Sequence, residues 1–340
     1  MRYLVHEDRP ANLVGLRLAV LSLVTAHPSA RVVVSAPTSP ELDAWCRRTT
    51  GHGLLGTATA KRGWDVKPEL LLHLLDREDT PVVWVDADVL CARSPEALLD
   101  LPQDEMVVCE ETWWSRAQGT DARTVGWGWP VGRHFPTSAN TAVLRVTRQH
   151  RPVLHAWRDA VSSAEYLAAQ ARPWFQRPIH LMGDQEPLSG LLGSTRFSDV
   201  PLRFLRRGQD IAQCFGASGY TVAERWRSRR ELPAFVHAQS APKPWAVTDD
   251  DSLLQRWHAE LNPYTILARR MLDEDEEPWL RRRSAFGDVC RGLTNDHPAL
   301  AELPLAAVEE VGRRARQQAG RAKRAVAAQR RGSAGLATTR

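Results

Sequence analysis

Lysine is nearly missing from this chain: Lys61, Lys67, Lys243 and Lys323 stand against 41 arginines in 340 residues. Where arginine is the default base, a lysine that falls inside a motif stands out. Cysteine is also sparse. Cys46, Cys91, Cys109, Cys214 and Cys290 make an odd, scattered set without a Cys-x-x-Cys pair, which excludes the common zinc and dithiol motifs and leaves reduced core residues as the expectation. Long apolar runs are absent too. The longest, Leu13 to Ala26, is interrupted by Arg17 and falls short of the roughly 20 residues a membrane-spanning helix needs. The opening Met-Arg-Tyr-Leu-Val-His-Glu-Asp puts charge where a secretory leader carries its apolar stretch, so a cytoplasmic location is expected. Neither a Ser-His-Asp order nor a nucleophile elbow is apparent.

Acid is missing from one region only. Residues 311–340 hold nine Arg or Lys and no Asp or Glu, so the other 310 residues carry 36 bases against 40 acids. The overall charge of +5 is therefore a body near −4 with a tail of +9. Basicity belongs to the C-terminus and does not argue for a nucleic-acid-binding core.

What is present is a folding composition, 43% hydrophobic and 25% charged. Tyr3 to His6 reads as a strand. Asn12 stands where it can cap a helix carrying Leu13, Leu16, Val20, Leu23 and Val24 at helical spacing. Arg31 to Ser35 is a second strand. Ser39-Pro40-Glu41 starts a helix through Cys46, with an N-cap hydroxyl, a proline that needs no N–H partner there, and an acid near the positive end. Lys67 to Leu75 is a helix, Val82 to Val85 a strand, and Ser94-Pro95-Glu96 opens another helix. Strands alternating with helices imply an α/β fold with a mainly parallel sheet flanked by helices, whose ligands sit beyond the C-terminal strand ends.

Asp86 and Asp88 fall at such an end, in VVWVDADVL. Two apart on a strand, they can point jointly into the crevice. Carboxylates so close repel each other unless a cation lies between them, and a hard divalent ion held by one or two carboxylates completes its shell with phosphate oxygens. The plain alternative is a strand ending in a polar turn.

With its Ser-Pro-Glu helix behind it, VVWVDADVL resembles the Asp-x-Asp region of GT-A glycosyltransferases, which bind a metal and a nucleotide diphosphate sugar. His237-Ala-Gln-Ser-Ala-Pro-Lys243-Pro244-Trp245 resembles the His-x-x-Gly-x-x-Lys-Pro-Trp signature of the glycogenin and lipopolysaccharide galactosyltransferase type, with Ser240 in the glycine's place. Asn140-Thr141-Ala142 is similar to the family's Asn-x-Gly/Ala strand against the sugar donor, and Asp184-Gln185 to its Asp-Gln pair beside the reacting carbon. His6-Glu7-Asp8 stands where the family contacts base and ribose. The resemblance spans about the first 245 residues.

It implies a GT-A, Rossmann-like domain over residues 1–250, a helical extension over 251–310 and a basic tail over 311–340. The activity implied is transfer of a sugar from a UDP-type donor to an unidentified acceptor hydroxyl, with retention. Asp86, Asp88 and His237 would hold Mn²⁺ or Mg²⁺; the imidazole suits manganese better than calcium. Lys243 would hold the diphosphate; Asp8, Lys67, Asp86 and Asn140 would line the donor site. Lys67 can equally be a surface lysine at a helix end. Asp184 and Gln185 are the candidate catalytic residues.

Other features are read more plainly. Gly51-His-Gly-Leu-Leu-Gly56 spells a dinucleotide fingerprint, but a helix precedes it, so it reads as a loop. Trp113, Trp114, Trp127 and Trp129 are either an acceptor platform or anchors for a long loop. Asp273 to Glu277 reads as a solvated acidic hinge. From Pro304 a long helix is expected, its stripe (Leu305, Val308, Ala315, Ala319, Ala322, Val326) mostly alanine, fraying at Gly332; weak contact with an anionic membrane or acidic partner is the alternative use of its charge. Two rivals stand beside the transferase: a sugar-phosphate nucleotidyltransferase, for which Arg9-Pro-Ala-Asn12 is the wrong phosphate loop, and a non-catalytic scaffold of the same fold.

Overall fold

The computed structural model describes residues 1–56, 59, 61–111, 121–239 and 241–336, with side chains described as far as residue 320. Strands β1 (Arg2–His6), β2 (Arg31–Ser35) and β3 (Val82–Asp86) pair in parallel in the order β2-β1-β3. The six-stranded sheet continues through β6 (Ser138–Val146), β5 (Met106–Glu111) and β7 (Leu202–Leu205). Three of its five pairings are parallel, and β6 runs antiparallel to both its neighbours. In β3, Val82 and Trp84 face one hydrophobic core while Val83 and Val85 face the other. A strand covered on both faces has no polar side to show, hence the unbroken apolar run. Burying each such valine contributes on the order of 1.5–3 kcal/mol.

The covering helices follow from their sequences. Helix α1 (Leu13–Ala26) buries Leu16, Ala19, Val20 and Leu23 on the Val83 side. Ser39 caps α2 (Pro40–Thr50), its hydroxyl accepting the Leu42 N–H. Gly51, at φ +75°, ends α2, so the dinucleotide-like glycines form a helix stop and loop. Helix α3 (Lys67–Arg77) buries its leucines on the Trp84 side. Asn12 occupies the N-cap position of α1 but makes no cap bond; its side-chain amide lies beside the Trp245 indole and the Arg9 guanidinium.

A second sheet has no counterpart in the sequence reading. Strands β4 (Val89–Cys91), β8 (Ile211–Gln213) and β9 (Phe235–His237) form it in the order β4-β9-β8. The extension packs on this sheet: Tyr264, Leu267, Leu280 and Ala299 share a core with Leu18, Leu90 and Val236. In the acidic hinge, Glu274 pairs with Arg283, and Asp275 with Arg281.

The last helix runs Leu303–Leu336, past Gly332, which corrects the expected fraying point: each glycine costs only about 1 kcal/mol in a helix. The mostly alanine stripe buries little, as its composition implies. Leu305 and Ala306 pack against Ala217, whereas Val308 is 69% exposed, and Ala315 and Ala319 are exposed. The five cysteines are free and buried. Among the described residues no helix is long and apolar enough to cross a membrane.

Candidate active site

Register brings the site together. His6 pairs with Asp86 across β1 and β3, so both strands end at the same edge of the sheet. The chain turns through Ala87-Asp88 into β4, where Val89 pairs with His237 of β9 and the Ala238 N–H bonds the Asp88 carbonyl at 2.9 Å. Ligand atoms of Asp86, Asp88 and His237 consequently lie within 4.8 Å of one another. His237 Nε2 is 3.4 Å from Asp88 Oδ1.

Two lysines balance these carboxylates. Lys243 Nζ pairs with Asp88 and donates to the Ala238 carbonyl at 2.7 Å. Lys67 Nζ lies 2.9 Å from Asp86 and 3.2 Å from Asp184, and donates to Thr141 Oγ1 at 2.8 Å. At 2% exposure Lys67 is a buried charge, so it is not the surface lysine allowed for in the sequence. Burial works to lower its pKa, but Asp184 and Asp86 outweigh it and the ammonium is held well above its usual range. Burial raises Asp86, with Lys67 opposing. Asp88 moves the other way: burial acts upward, yet Lys243 and His237 hold it far below the ordinary carboxylate range. The indole of Trp84 orients Asp86 at 2.7 Å.

Lys67, Trp84, Asp86, Asp88 and Lys243 line one open cleft, with His6 beside them. Glu7, Arg9, Trp64 and Trp245 line it as well, and Trp64 is about half exposed at 47%. Asp8 serves the loop: its Oδ2 accepts the Gly63 N–H at 2.8 Å, next to Trp64.

Asn140 and Asp184 are buried nearby. Asn140 bonds Glu111 at 3.2 Å and the Ala142 N–H at 2.9 Å. Asp184 takes Thr141 Oγ1 at 2.9 Å, and its carbonyl takes the Trp157 indole at 2.7 Å. Gln185, half-buried, opens helix α8 (Gln185–Gly193), and its amide lies 3.2 Å from Glu186 Oε1. Trp127 and Trp129 stack at 5.0 Å, and the Trp127 indole bonds the His180 carbonyl, so this pair anchors a loop. Trp113, Trp114 and Ser240 lie outside the described residues.

Sequence reasoning missed several contributors. Trp64 and Trp245 line the cleft, but only the Lys-Pro-Trp run pointed toward either. Gly15 was unremarkable in sequence, yet a Cβ there would lie 2.7 Å from Trp245 and 2.8 Å from the Ala87 carbonyl. Glu186 and Arg123 carried no motif at all.

No family model and no curated protein matches this chain. Solved structures do. An active-site mutant of LgtC aligns with TM-score 0.50 and 15% identity over 82% of this chain and 100% of its own. The galactosyltransferase LgtC in complex with donor and acceptor sugar analogs aligns at 0.49 and 19%, with the same coverage. The apo-form glycosyltransferase GlyE of Streptococcus pneumoniae aligns at 0.45 and 15%, over 79% of this chain and 62% of that one. At such identities the likeness speaks for architecture: the mixed sheet, its flanking helices and the small second sheet make up the GT-A fold.

Proposed function

We propose that this chain is a metal-dependent glycosyltransferase, moving a sugar from a nucleotide diphosphate, UDP by resemblance, to an acceptor hydroxyl with retention. The observation that carries the reading is the convergence of Asp86, Asp88 and His237 under an open cleft, with Lys243 on Asp88.

The donor set fits a divalent ion. Two carboxylates and an imidazole give the mixed oxygen and nitrogen ligands that suit manganese, with magnesium as the harder alternative. Bound by these three residues, the ion would supply Lewis-acid stabilisation of the departing diphosphate. Lys243 adds a mobile ammonium that can exchange Asp88 for a phosphate oxygen. Lys67 holds Asp86 and Asp184 in place by pairing one ammonium with both carboxylates. Asn140 and Asp184 then form a fixed polar wall for the donor sugar. Gln185, the less buried of the Asp-Gln pair, is the group free to face the acceptor and a developing oxocarbenium ion. Half-exposed Trp64 offers a flat face for the base.

The test is donor hydrolysis. Purified protein with manganese and a panel of UDP and GDP sugars should slowly release nucleotide, and a matching donor should raise Tm only when manganese is present. Asp88→Asn should abolish both effects with an unchanged circular dichroism spectrum. Equal protection with and without manganese, or no turnover with any donor, sinks the proposal.

A further inference from the structure

Arg123 differs from the other fully buried arginines. Arg145 and Arg225 spend their guanidinium groups on backbone carbonyls or a close carboxylate. Among the described residues Arg123, 1% exposed, has no hydrogen bond from any guanidinium nitrogen, and its ionic neighbour there is Glu186 at 3.7 Å. Such a charge is costly unless it faces its counter-charge. Glu186 is itself 3% exposed. The same Oε1 that faces Arg123 lies 3.2 Å from Gln185 Nε2.

The packing that delivers Arg123 is built into two helices. Arg123 sits on helix α5 (Ala122–Gly126), which lies against α8. Glu186, Gly190 and Gly193 stand at positions i, i+4 and i+7 of α8, one face of that helix. Thr124 Oγ1 donates to the Gly190 carbonyl at 3.0 Å. A Cβ at Gly190 would come within 3.3 Å of the Arg123 backbone, and one at Gly193 within 2.6 Å of Thr124 Oγ1. Both glycines therefore admit α5, and close contact one turn below Glu186 sets the guanidinium against the carboxylate.

We propose that Glu186, held in place by Arg123, is a positioning residue that fixes the Gln185 amide with its NH₂ turned inward and its carbonyl oxygen toward the cleft. An ionised carboxylate can only accept, so only the NH₂ edge of the amide can face it. The opposite edge, an oxygen, is the one able to take an acceptor hydroxyl proton's hydrogen bond or steady positive charge at the reacting carbon. This inference rests on the transferase reading for its consequence in catalysis; the contact itself does not. Burial pushes Glu186 up to about 7, with Arg123 and the Gln185 amide pulling downward and Asp184 and Glu111 pushing upward. Once protonated, Glu186 can donate to the amide oxygen instead and release the orientation.

The experiment pairs kinetics with side-chain amide NMR. In Glu186→Leu, kcat for donor hydrolysis should fall about tenfold or more while donor KM stays within about twofold, the pattern of a lost transition-state contact. Glu186→Gln keeps an oxygen for the Gln185 NH₂, so it should recover most of kcat and lose the decline that wild type shows as pH falls below about 7. If Glu186→Leu does not fold, Glu186→Gln and its pH profile carry the kinetic arm. In ¹⁵N-labelled protein the Gln185 side-chain amide, assigned by its loss in Gln185→Leu, should exchange slowly in wild type and fast in Glu186→Leu. Fast exchange in wild type overturns the proposal, as does wild-type kcat in Glu186→Leu or a parallel loss of kcat, KM and Tm in both variants. A protected amide in a chain that hydrolyses no donor supports the contact and counts against the transferase reading instead.

Discussion

Val89 and His237 face each other across the antiparallel ladder of β4 and β9. That single pairing is why Asp88 meets a histidine 149 positions further along the chain. Strand side chains alternate, so a slip of one residue would send His237 to the opposite face, away from both carboxylates.

Because the ladder is built from backbone bonds, His237 can be replaced without dismantling it. His237→Leu should fold with little change in Tm and bind manganese at least about tenfold more weakly, roughly 1.4 kcal/mol. The free-ion signal of Mn²⁺ in electron paramagnetic resonance measures this directly. Unaltered affinity would remove the imidazole from the metal site.

Lys67 invites a different test, since its ammonium serves two acids at once. Lys67→Met keeps much of the stem's volume but strands Asp86 and Asp184 as buried carboxylates facing each other's field. Breaking one side of a buried pair costs on the order of 3–5 kcal/mol. Urea unfolding should register a loss of that size; a change below about 1 kcal/mol would class the contact with surface ion pairs.

Lys67 also marks where the sequence stops being legible. Its place at a helix start was readable, and so were Asp86, Asp88, His237 and Lys243, because strand ends and short motifs are local. That Lys67 lies between Asp86 and Asp184 depends on three elements converging, which no window of residues encodes. The second sheet was hidden for another reason: strands of three residues are too short to leave a period of two. Glu186 drew no reading from the sequence, and Arg123 was one arginine among 41. The tail helix was foreseen, but its exposed Val308 shows that helical spacing alone does not reveal whether a partner surface exists.

Gly15, in the first turn of α1, packs that helix against the Ala87 turn and Trp245. A methyl group there would strike the Trp245 ring and the Ala87 carbonyl, and the second of these is backbone that cannot rotate aside. Overpacking of this kind costs about 1–3 kcal/mol. Gly15→Ala should lower Tm accordingly and, because Ala87 lies between the two aspartates and Trp245 two residues from Lys243, weaken donor protection in manganese as well. Full protection in the variant would show that the cleft tolerates the shift.

The buried cluster of Arg225, His258 and Glu302 gives a pH dependence remote from the cleft. Glu302 pairs with Arg225 at 2.5 Å and with His258, all three buried, and joins the start of the last helix to two others. Burial works to raise Glu302, but His258 and Arg225 prevail and its pKa is lowered in the folded state. A lowered carboxyl contributes stability that is fully present above its unfolded value, about 4.3, and lost as pH falls through the native one. Glu302→Gln cannot titrate and leaves Arg225 without its charge partner, so it should be about 3–5 kcal/mol less stable at pH 7. The gap from wild type should hold down to about pH 4.3 and then close as wild-type Glu302 takes up its proton. Denaturation at a series of pH values gives the curve. A difference that stays constant through the acid range would mean that shape complementarity, and not the charge on Glu302, holds these helices together.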